Sequence, residues 1–152
     1  MGFRYFTVDF TVEVHDHILR ESGGLVGIRD RGLIGSILDH VQNDLYYPGL
    51  EDKLTHLVYS FNKNHCFNDG NKRSSVVLAA YFLTINNLES IVPKFIVEME
   101  NTAVDVAENA IDRALLHEIV VSILYEDDYT EELKLKIIEA KVNYWNARQY
   151  TP

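Results

Sequence analysis

Residues 65–83 read HCFNDGNKRSSVVLAAYFL, a polar run of nine residues followed by ten that are apolar on nearly every side. A helix that is apolar all round is buried among other elements, so residues 74–83 predict a central, buried helix. The four residues Asn68-Asp69-Gly70-Asn71 are turn formers. The pattern therefore predicts a polar loop that leads directly into the first turn of the central helix.

Apolar side chains at helical spacing predict further helices on both sides of this loop. They fall at about 9–22, after Asp30 to Val41, and at 52–62, 94–100, 102–125 and 130–148. Residues 42–52 lose the periodicity around a Pro-Gly turn and indicate an exposed loop or a short β-hairpin, and residues 90–93 indicate a connector. No internal repeat, low-complexity run or heptad array is visible. The sequence predicts one all-α domain.

The glycines between the first two helices allow two interpretations. Gly23, Gly24 and Gly27, followed by Arg29-Asp30, could form a phosphate-binding loop. A helix end, a turn and the cap of the next helix explain them better, because glycine tolerates the left-handed conformation that ends many helices.

Composition limits the function classes. The chain has 152 residues, 47% of them hydrophobic, which suits one folded core. Its net charge of -9 argues against nucleic-acid binding, which requires a basic face. Cys66 is the only cysteine, so no intrachain disulfide forms and a reducing compartment is favoured. The sequence shows no signal-peptide pattern and no apolar stretch of membrane-spanning length, so we expect a cytoplasmic protein without a membrane partner.

The loop carries the chemistry of a phosphate site. Unpaired amides of Gly70, Asn71 and Lys72 at a helix start would attract an anion, and Lys72 and Arg73 add positive charge. Asp69 offers a hard carboxylate for a phosphate-bound Mg²⁺, although it could equally cap the helix.

Three further residues of the loop complete the candidate site. We expect His65 to act as a general base at neutral pH, rather than as a surface histidine. Phe67 is expected to point inward and fix the loop, and Asn68 joins the candidate nucleotide-binding residues. Together with the anion site, these parts are typical of phosphoryl or nucleotidyl transfer.

The same nine residues resemble the Fic motif H-x-F-x-[D/E]-G-N-x-R, and more closely its death-on-curing (Doc) variant H-x-F-x-D-G-N-K-R. The stretch from His15-Asp16 to Leu33 is also similar to the opening of the Doc family, so the resemblance covers about residues 8–125. It implies His65 as catalytic base, Asp69 as Mg²⁺ ligand, Gly70 and Asn71 as the anion hole, and Arg73 as a phosphate contact. It also implies a role for the loop at Tyr46 and Tyr47 as a flap that positions the target peptide. The alternative is that this loop is a simple connector.

The resemblance further implies a Doc-like toxin that moves the γ-phosphate of ATP to a Ser or Thr of a protein. Elongation factor Tu is the family's target, and an antitoxin protein is a second expected partner. AMP-transferring relatives have glycine at the position of Lys72 and a second arginine at that of Val76. These departures favour kinase activity over AMP transfer, which stays an alternative beside a catalytically silent binding module.

The remaining features are interpreted as structural. Cys66 and the other five histidines are expected to be packing residues, and the match of residues 122–127 to an inhibitory helix pattern is taken as coincidence. We place the Fic/Doc domain at residues 1–127 and a C-terminal helical extension, packed on the same domain, at residues 128–152. The apolar stripe of that extension, Leu133, Ile137, Ala140 and Trp145, indicates packing or self-association.

Overall fold

The computed structural model describes residues 2–149 and contains seven α-helices in that range. They are α1 Val8–Ser22, α2 Arg31–Val41, α3 Leu50–Lys63, α4 Asn71–Ile85, α5 Val92–Ala107, α6 Arg113–Tyr125 and α7 Glu131–Gln149, with a 3₁₀ turn at Glu89–Ile91. The only β-structure among these residues is an isolated bridge between Ile28 and Phe67. The all-α prediction is confirmed. Residues 1 and 150–152 of the predicted domain and extension lie outside the described range.

Helix α4 is the central helix. It packs against α3, α5 and α1, and α1 also contacts its second half, where Phe10 stacks on Tyr81. Leu78, Ala79, Phe82 and Leu83 are fully buried, and the shorter side chains of its first turns are buried as well. The run that is apolar on nearly all sides therefore forms the centre of the core, as predicted. None of the helices within residues 2–149 has both the length and the apolar composition that a membrane span requires.

A glycine defines the start of α4. Gly70 is the N-cap and adopts the left-handed conformation with φ of 77°. A Cβ at this position would lie 3.2 Å from Cδ2 of Leu19, so α1 crosses directly over the loop. Backbone freedom and lack of a side chain are both needed here. The polar loop is thereby held between α1 and the first turn of α4.

The predicted boundaries between α5 and α6 are wrong. The expected break near residue 101 is absent, because Asn101 lies inside α5, and helix α5 begins at Val92 within the expected connector. The real break is at residues 108–112. There Asn109 adopts φ of 64°, and the Asp112 side chain caps α6 by accepting a hydrogen bond from the amide of Leu115 at 2.8 Å.

The segment between α2 and α3 forms turns, and the alternative of a β-hairpin is not found there. The amides of Tyr46 and Tyr47 both donate to the carbonyl of Asn43, which closes a compact turn. Lys53, fully buried, fastens this turn by donating to the carboxylate of Asp44 and the carbonyl of Val41, each at 2.8 Å. The turn is therefore a fixed part of the α2–α3 connection.

Helix α7 lies on α6 and contacts the core through part of the predicted stripe. Leu133 is buried, and Ile137 and Ala140 pack against the core. Trp145, the fourth residue of that stripe, is instead 62% exposed. The extension thus packs through these three side chains, and Lys141 adds an ion pair of 3.2 Å to Asp105 of α5.

Candidate active site

The loop between α3 and α4 is anchored by its two apolar residues. Cys66 and Phe67 are buried, and the carbonyl of Cys66 accepts hydrogen bonds from the amides of Arg29 and Asp30 at 2.8 and 3.0 Å. Burial raises the pKa of the Cys66 thiol to about 11, so this thiol is a packing residue and a poor nucleophile. Phe67 points inward as expected.

Asn71 braces the loop from the first turn of α4. Its side-chain oxygen accepts a hydrogen bond from the amide of Phe67 at 3.2 Å, and its side-chain nitrogen donates to the carbonyl of the same residue at 3.0 Å. The side chain of Asn71 thus holds the loop. Its backbone N–H, the donor expected to meet the anion, has no acceptor among the described residues.

His65 stands at the exposed start of the loop. Its backbone has φ of 51°, a left-handed conformation that is uncommon for residues other than glycine. Within the described residues its ring makes no hydrogen bond, so both ring nitrogens are open to a ligand. A strained, exposed residue next to a rigid anchor is typical of functional positions.

Residues 24–28, between α1 and α2, run beside the loop and hydrogen-bond to it. The amide of Asn68 donates to the carbonyl of Gly27 at 3.2 Å, and the Asn68 side chain donates to the carbonyl of Val26 at 3.1 Å. A Cβ at Gly24 would lie 2.8 Å from Oδ2 of Asp69, so this close approach requires glycine. Gly23 and Asp30 do cap α1 and α2 as expected, but the segment between them also forms one wall of the site.

The Asp69 carboxylate is held in place by backbone donors. Oδ2 accepts from the amide of Leu25 at 3.1 Å and Oδ1 from the amide of Gly70 at 2.8 Å. These hydrogen bonds hold the pKa of Asp69 below its usual value, so the group is ionised at neutral pH. Asp69 is not the N-cap of α4, since Gly70 occupies that position.

The first turn of α4 presents free backbone donors. In the described part of the chain, the amides of Asn71, Lys72 and Arg73 have no acceptor, and the first bond of the helix is from Ser74 to Gly70. The Gly70 amide, expected to be free, is already bound to Asp69. The free backbone donors of the site are thus the amides of residues 71–73, where the sequence predicted residues 70–72.

Two cations flank these amides. Lys72 is exposed and its ammonium group has no partner in residues 2–149, whereas Arg73 donates to the hydroxyl of Ser22 at the end of α1. Both line a groove of about 450 Å³ between α1, α4 and α5, whose wall is apolar at Val76 and Val104. Val76 is the position where AMP-transferring relatives are expected to carry a second arginine, and here it is part of that apolar wall.

The residues present suit a nucleotide with a bound Mg²⁺. No group of three or more metal-binding side chains occurs within residues 2–149, so no site made wholly of protein ligands is found there. Mg²⁺ in phosphate sites commonly takes one or two carboxylates together with phosphate oxygens and water. Asp69 can supply that single carboxylate, since each of its oxygens keeps a lone pair.

His15 is a site residue that the sequence analysis missed. It is fully buried in α1, its Nε2–H donates to the carbonyl of Asp69 at 2.7 Å, and its ring stacks on Phe67 with centroids 3.7 Å apart. These two contacts therefore fix the position of the loop at Asp69, whose carboxylate is the candidate metal ligand. The stretch that resembles the Doc family begins at His15, but a lone histidine in a helix is most often a packing residue, so it was given no role in the site.

Tyr46 and Tyr47 lie in the turn between α2 and α3. Tyr47 packs on His56 in α3 with ring centroids 4.3 Å apart, and Arg113 lies over the Tyr47 ring at 5.7 Å. His56 is in the first half of α3, about 10 Å along the helix axis from the end that leads to His65. Residues 24–28 hydrogen-bond to the loop, and the role of Tyr46 and Tyr47 as a flap stays a prediction.

Comparison with known sequences agrees with this geometry. The sequence profile of the Fic/DOC family matches residues 5–83, which is just over half of the chain and includes the loop and most of α4. The chain belongs to the Fic/DOC family. The resemblance noted in the nine-residue motif is therefore confirmed. Helices α5, α6 and α7 lie beyond the matched Fic/DOC region.

Two relatives in the Fic/DOC family are similar to this chain. Toxin Doc of Mycolicibacterium smegmatis is 38% identical over 71 residues, which cover 44% of this chain and 55% of that protein. Protein kinase doc of Escherichia phage P1 is 31% identical over 90 residues, which cover 57% of this chain and 71% of that protein. The chain thus spans about half the length of the first relative and seven tenths of the second.

Proposed function

We propose that the chain is a protein-modifying enzyme that transfers the γ-phosphate of ATP to a Ser or Thr hydroxyl of a target protein. The observation that carries this proposal is the arrangement of the loop. The accessible His65 and the ionised Asp69 precede helix α4. The first three backbone amides of that helix have no acceptor, and the two residues after Asn71 carry positive charge. The name of the phage relative, Protein kinase doc, supports the same reaction class.

The free amides and cations are suited to hold the triphosphate. The N–H groups of Asn71, Lys72 and Arg73 would bond phosphate oxygens, where the helix dipole favours negative charge. The guanidinium of Arg73 and the ammonium of Lys72 would offset the charge that builds up in transfer. Asp69 would hold a phosphate-bound Mg²⁺, which would neutralise part of the negative charge of the triphosphate.

In the proposed step, His65 accepts the proton of the acceptor hydroxyl. The hydroxyl oxygen forms a bond to the γ-phosphorus, the bond between that phosphorus and the bridging β–γ oxygen breaks, and ADP leaves. The products are a phosphorylated side chain, ADP and a proton on His65. A general base of this kind requires an accessible ring nitrogen, which His65 has.

Transfer of the γ-phosphate is favoured over transfer of AMP by two residues. Lys72 fills the first turn of α4, and we propose that its side chain excludes the nucleotide orientation in which the α-phosphate would lie beside His65. The apolar Val76 leaves the groove without a second arginine to bind the remaining phosphates. AMP transfer remains the second candidate reaction, and it shares His65, Asp69 and the same free amides.

Partners and organisation follow from the same proposal. The relative named Toxin Doc supports the proposal that this chain is also a toxin, with an antitoxin protein as one partner. The resemblance to the Doc family, and not that name, makes elongation factor Tu the candidate target. A cytoplasmic location would suit such a target. We further propose that residues 1–127 form the catalytic domain and that residues 128–152 are an addition to it.

The experiment that tests the reaction uses ATP labelled at either the α- or the γ-position. The purified chain is incubated with Mg²⁺, labelled ATP and a bacterial lysate, and labelled protein bands are counted. We expect γ-label on a protein with wild type and none with His65→Ala. Label from the α-position would replace the proposal by AMP transfer, and no label from either position would leave a binding module.

A further inference from the structure

Helix α7 has two apolar faces, and only one of them packs on the domain. Leu133, Ile137 and Ala140 face α6 and the core. Four large apolar side chains are instead exposed to between 48% and 62% of their surface; they are Leu135, Ile138, Val142 and Trp145. At about 100° per residue these two sets point to nearly opposite sides of the helix. We name the second set the outer seam.

The outer seam has the spacing of a coiled coil. Its residues are separated by three, four and three positions, which are the a and d positions of two consecutive heptads. The sequence alone did not reveal this pattern, because the inward-facing residues are interleaved with it. When the residues that pack on the domain are left out, the remaining apolar residues of α7 form a regular seam. A seam of this kind is completed by another helix with the same spacing.

The charges beside the outer seam identify that helix. Lys134, Lys141 and Arg148 occupy the g positions along one edge, whereas Glu132 and Glu139 occupy e positions along the other. In a parallel pair, a g residue faces the e residue five positions later on the other helix, which joins Lys134 to Glu139. In an antiparallel pair Lys141 would face Lys141 and Glu139 would face Glu139. The pattern therefore complements itself in the parallel arrangement only.

We propose that the outer seam binds the same seam of a second copy of this chain, in parallel, around a two-fold axis. Glu139 has no ion-pair partner in residues 2–149, and Lys134 can reach it while keeping its contacts of 3.4 Å to Asp128 and Glu131, because an ammonium has three donors. The domain lies on the opposite side of α7, so it leaves the seam open. The dimer is independent of the reaction proposed above.

The size of the seam sets the strength of the dimer. Four side chains from each helix bury less than the roughly 1,200 Å² of a standard interface, so we expect a dissociation constant of about 1–100 µM. Sedimentation equilibrium of the full chain between about 1 µM and 1 mM measures it. Ile138→Glu should raise the dissociation constant at least about 100-fold. The control is Leu45→Glu, which makes the same kind of change outside α7 at a side chain that is 93% exposed, and it should leave the dissociation constant unchanged.

Charge variants test the parallel arrangement. Lys134→Glu should weaken the dimer about tenfold, since two attractive pairs become repulsive, and adding Glu139→Lys to it should restore the wild-type value within about threefold. Circular dichroism checks that α7 remains helical in each variant. A monomer at every concentration, or a dimer insensitive to Ile138→Glu, would overturn the proposal. Tightening by Lys134→Glu would show an antiparallel pair, with residue 134 facing Arg148, and would overturn it too.

Discussion

Replacing His15 by phenylalanine separates the positioning of the loop from its chemistry. His15 donates a hydrogen bond of 2.7 Å to the carbonyl of Asp69 and stacks on Phe67, and it is fully buried. Phenylalanine keeps an aromatic ring against Phe67 but leaves the Asp69 carbonyl without its donor. An unsatisfied buried acceptor costs about 1–3 kcal/mol, which a domain with about 5–15 kcal/mol of stability can lose without unfolding.

The catalytic effect should exceed what stability alone predicts. A shift of the Asp69 backbone by about 1 Å moves the metal-binding carboxylate, and misplacement of that size can cost about 100-fold in rate. We therefore expect His15→Phe to unfold at lower urea concentration and to transfer γ-label about 10–100-fold more slowly. Urea unfolding and the label-transfer rate are measured on the same preparation, with Glu13→Ala, an exposed change in the same helix, as control. Wild-type stability together with wild-type rate would refute the positioning role.

Three further substitutions test the chemistry of the loop. His65→Ala should slow label transfer by about 10²–10⁴-fold with unchanged urea unfolding, and a rate within a few-fold of wild type would exclude the base role. Asp69→Asn should weaken ATP binding in a titration with Mg²⁺ but not without it, and equal wild-type affinities in both conditions would exclude the metal role. Because backbone amides keep the pKa of Asp69 below its usual value, this carboxylate should stay ionised where an unbonded aspartate begins to protonate, so its titration should not limit the Mg²⁺-dependent affinity near neutral pH. Lys72→Gly should reduce γ-transfer, with little gain of α-transfer since Val76 offers no second cation; unchanged γ-transfer would show that Lys72 does not contact the nucleotide.

The sequence predicted the parts of the fold that depend on local patterns. The buried helix α4 and the loop before it follow from an apolar run next to turn formers, and their positions were correct to within a few residues. The break between α5 and α6 was misplaced, because it depends on the left-handed Asn109 and the capping Asp112 rather than on a loss of apolar periodicity. Helix periodicity continues across such a break.

The candidate site was predictable as a set of residues but not as a set of contacts. The motif named His65, Asp69 and the cations, whereas the roles of His15 and of residues 24–28 arise from contacts across more than 40 positions of sequence. The sequence also did not indicate that the side chain of Asn71 would hold Phe67 through two hydrogen bonds. The resemblance offered Tyr46 and Tyr47 as a flap, which stays a prediction, and the packing of Tyr47 on His56 could not be read from the sequence.

The most direct test of the account is a crystal structure of the wild-type chain with Mg²⁺ and a non-hydrolysable ATP analogue. We predict the γ-phosphate beside His65, bonded by the amides of residues 71–73 and by Arg73 or Lys72, with the metal on Asp69. An α- or β-phosphate nearest His65, with Lys72 turned to solvent, would contradict the kinase proposal and favour AMP transfer.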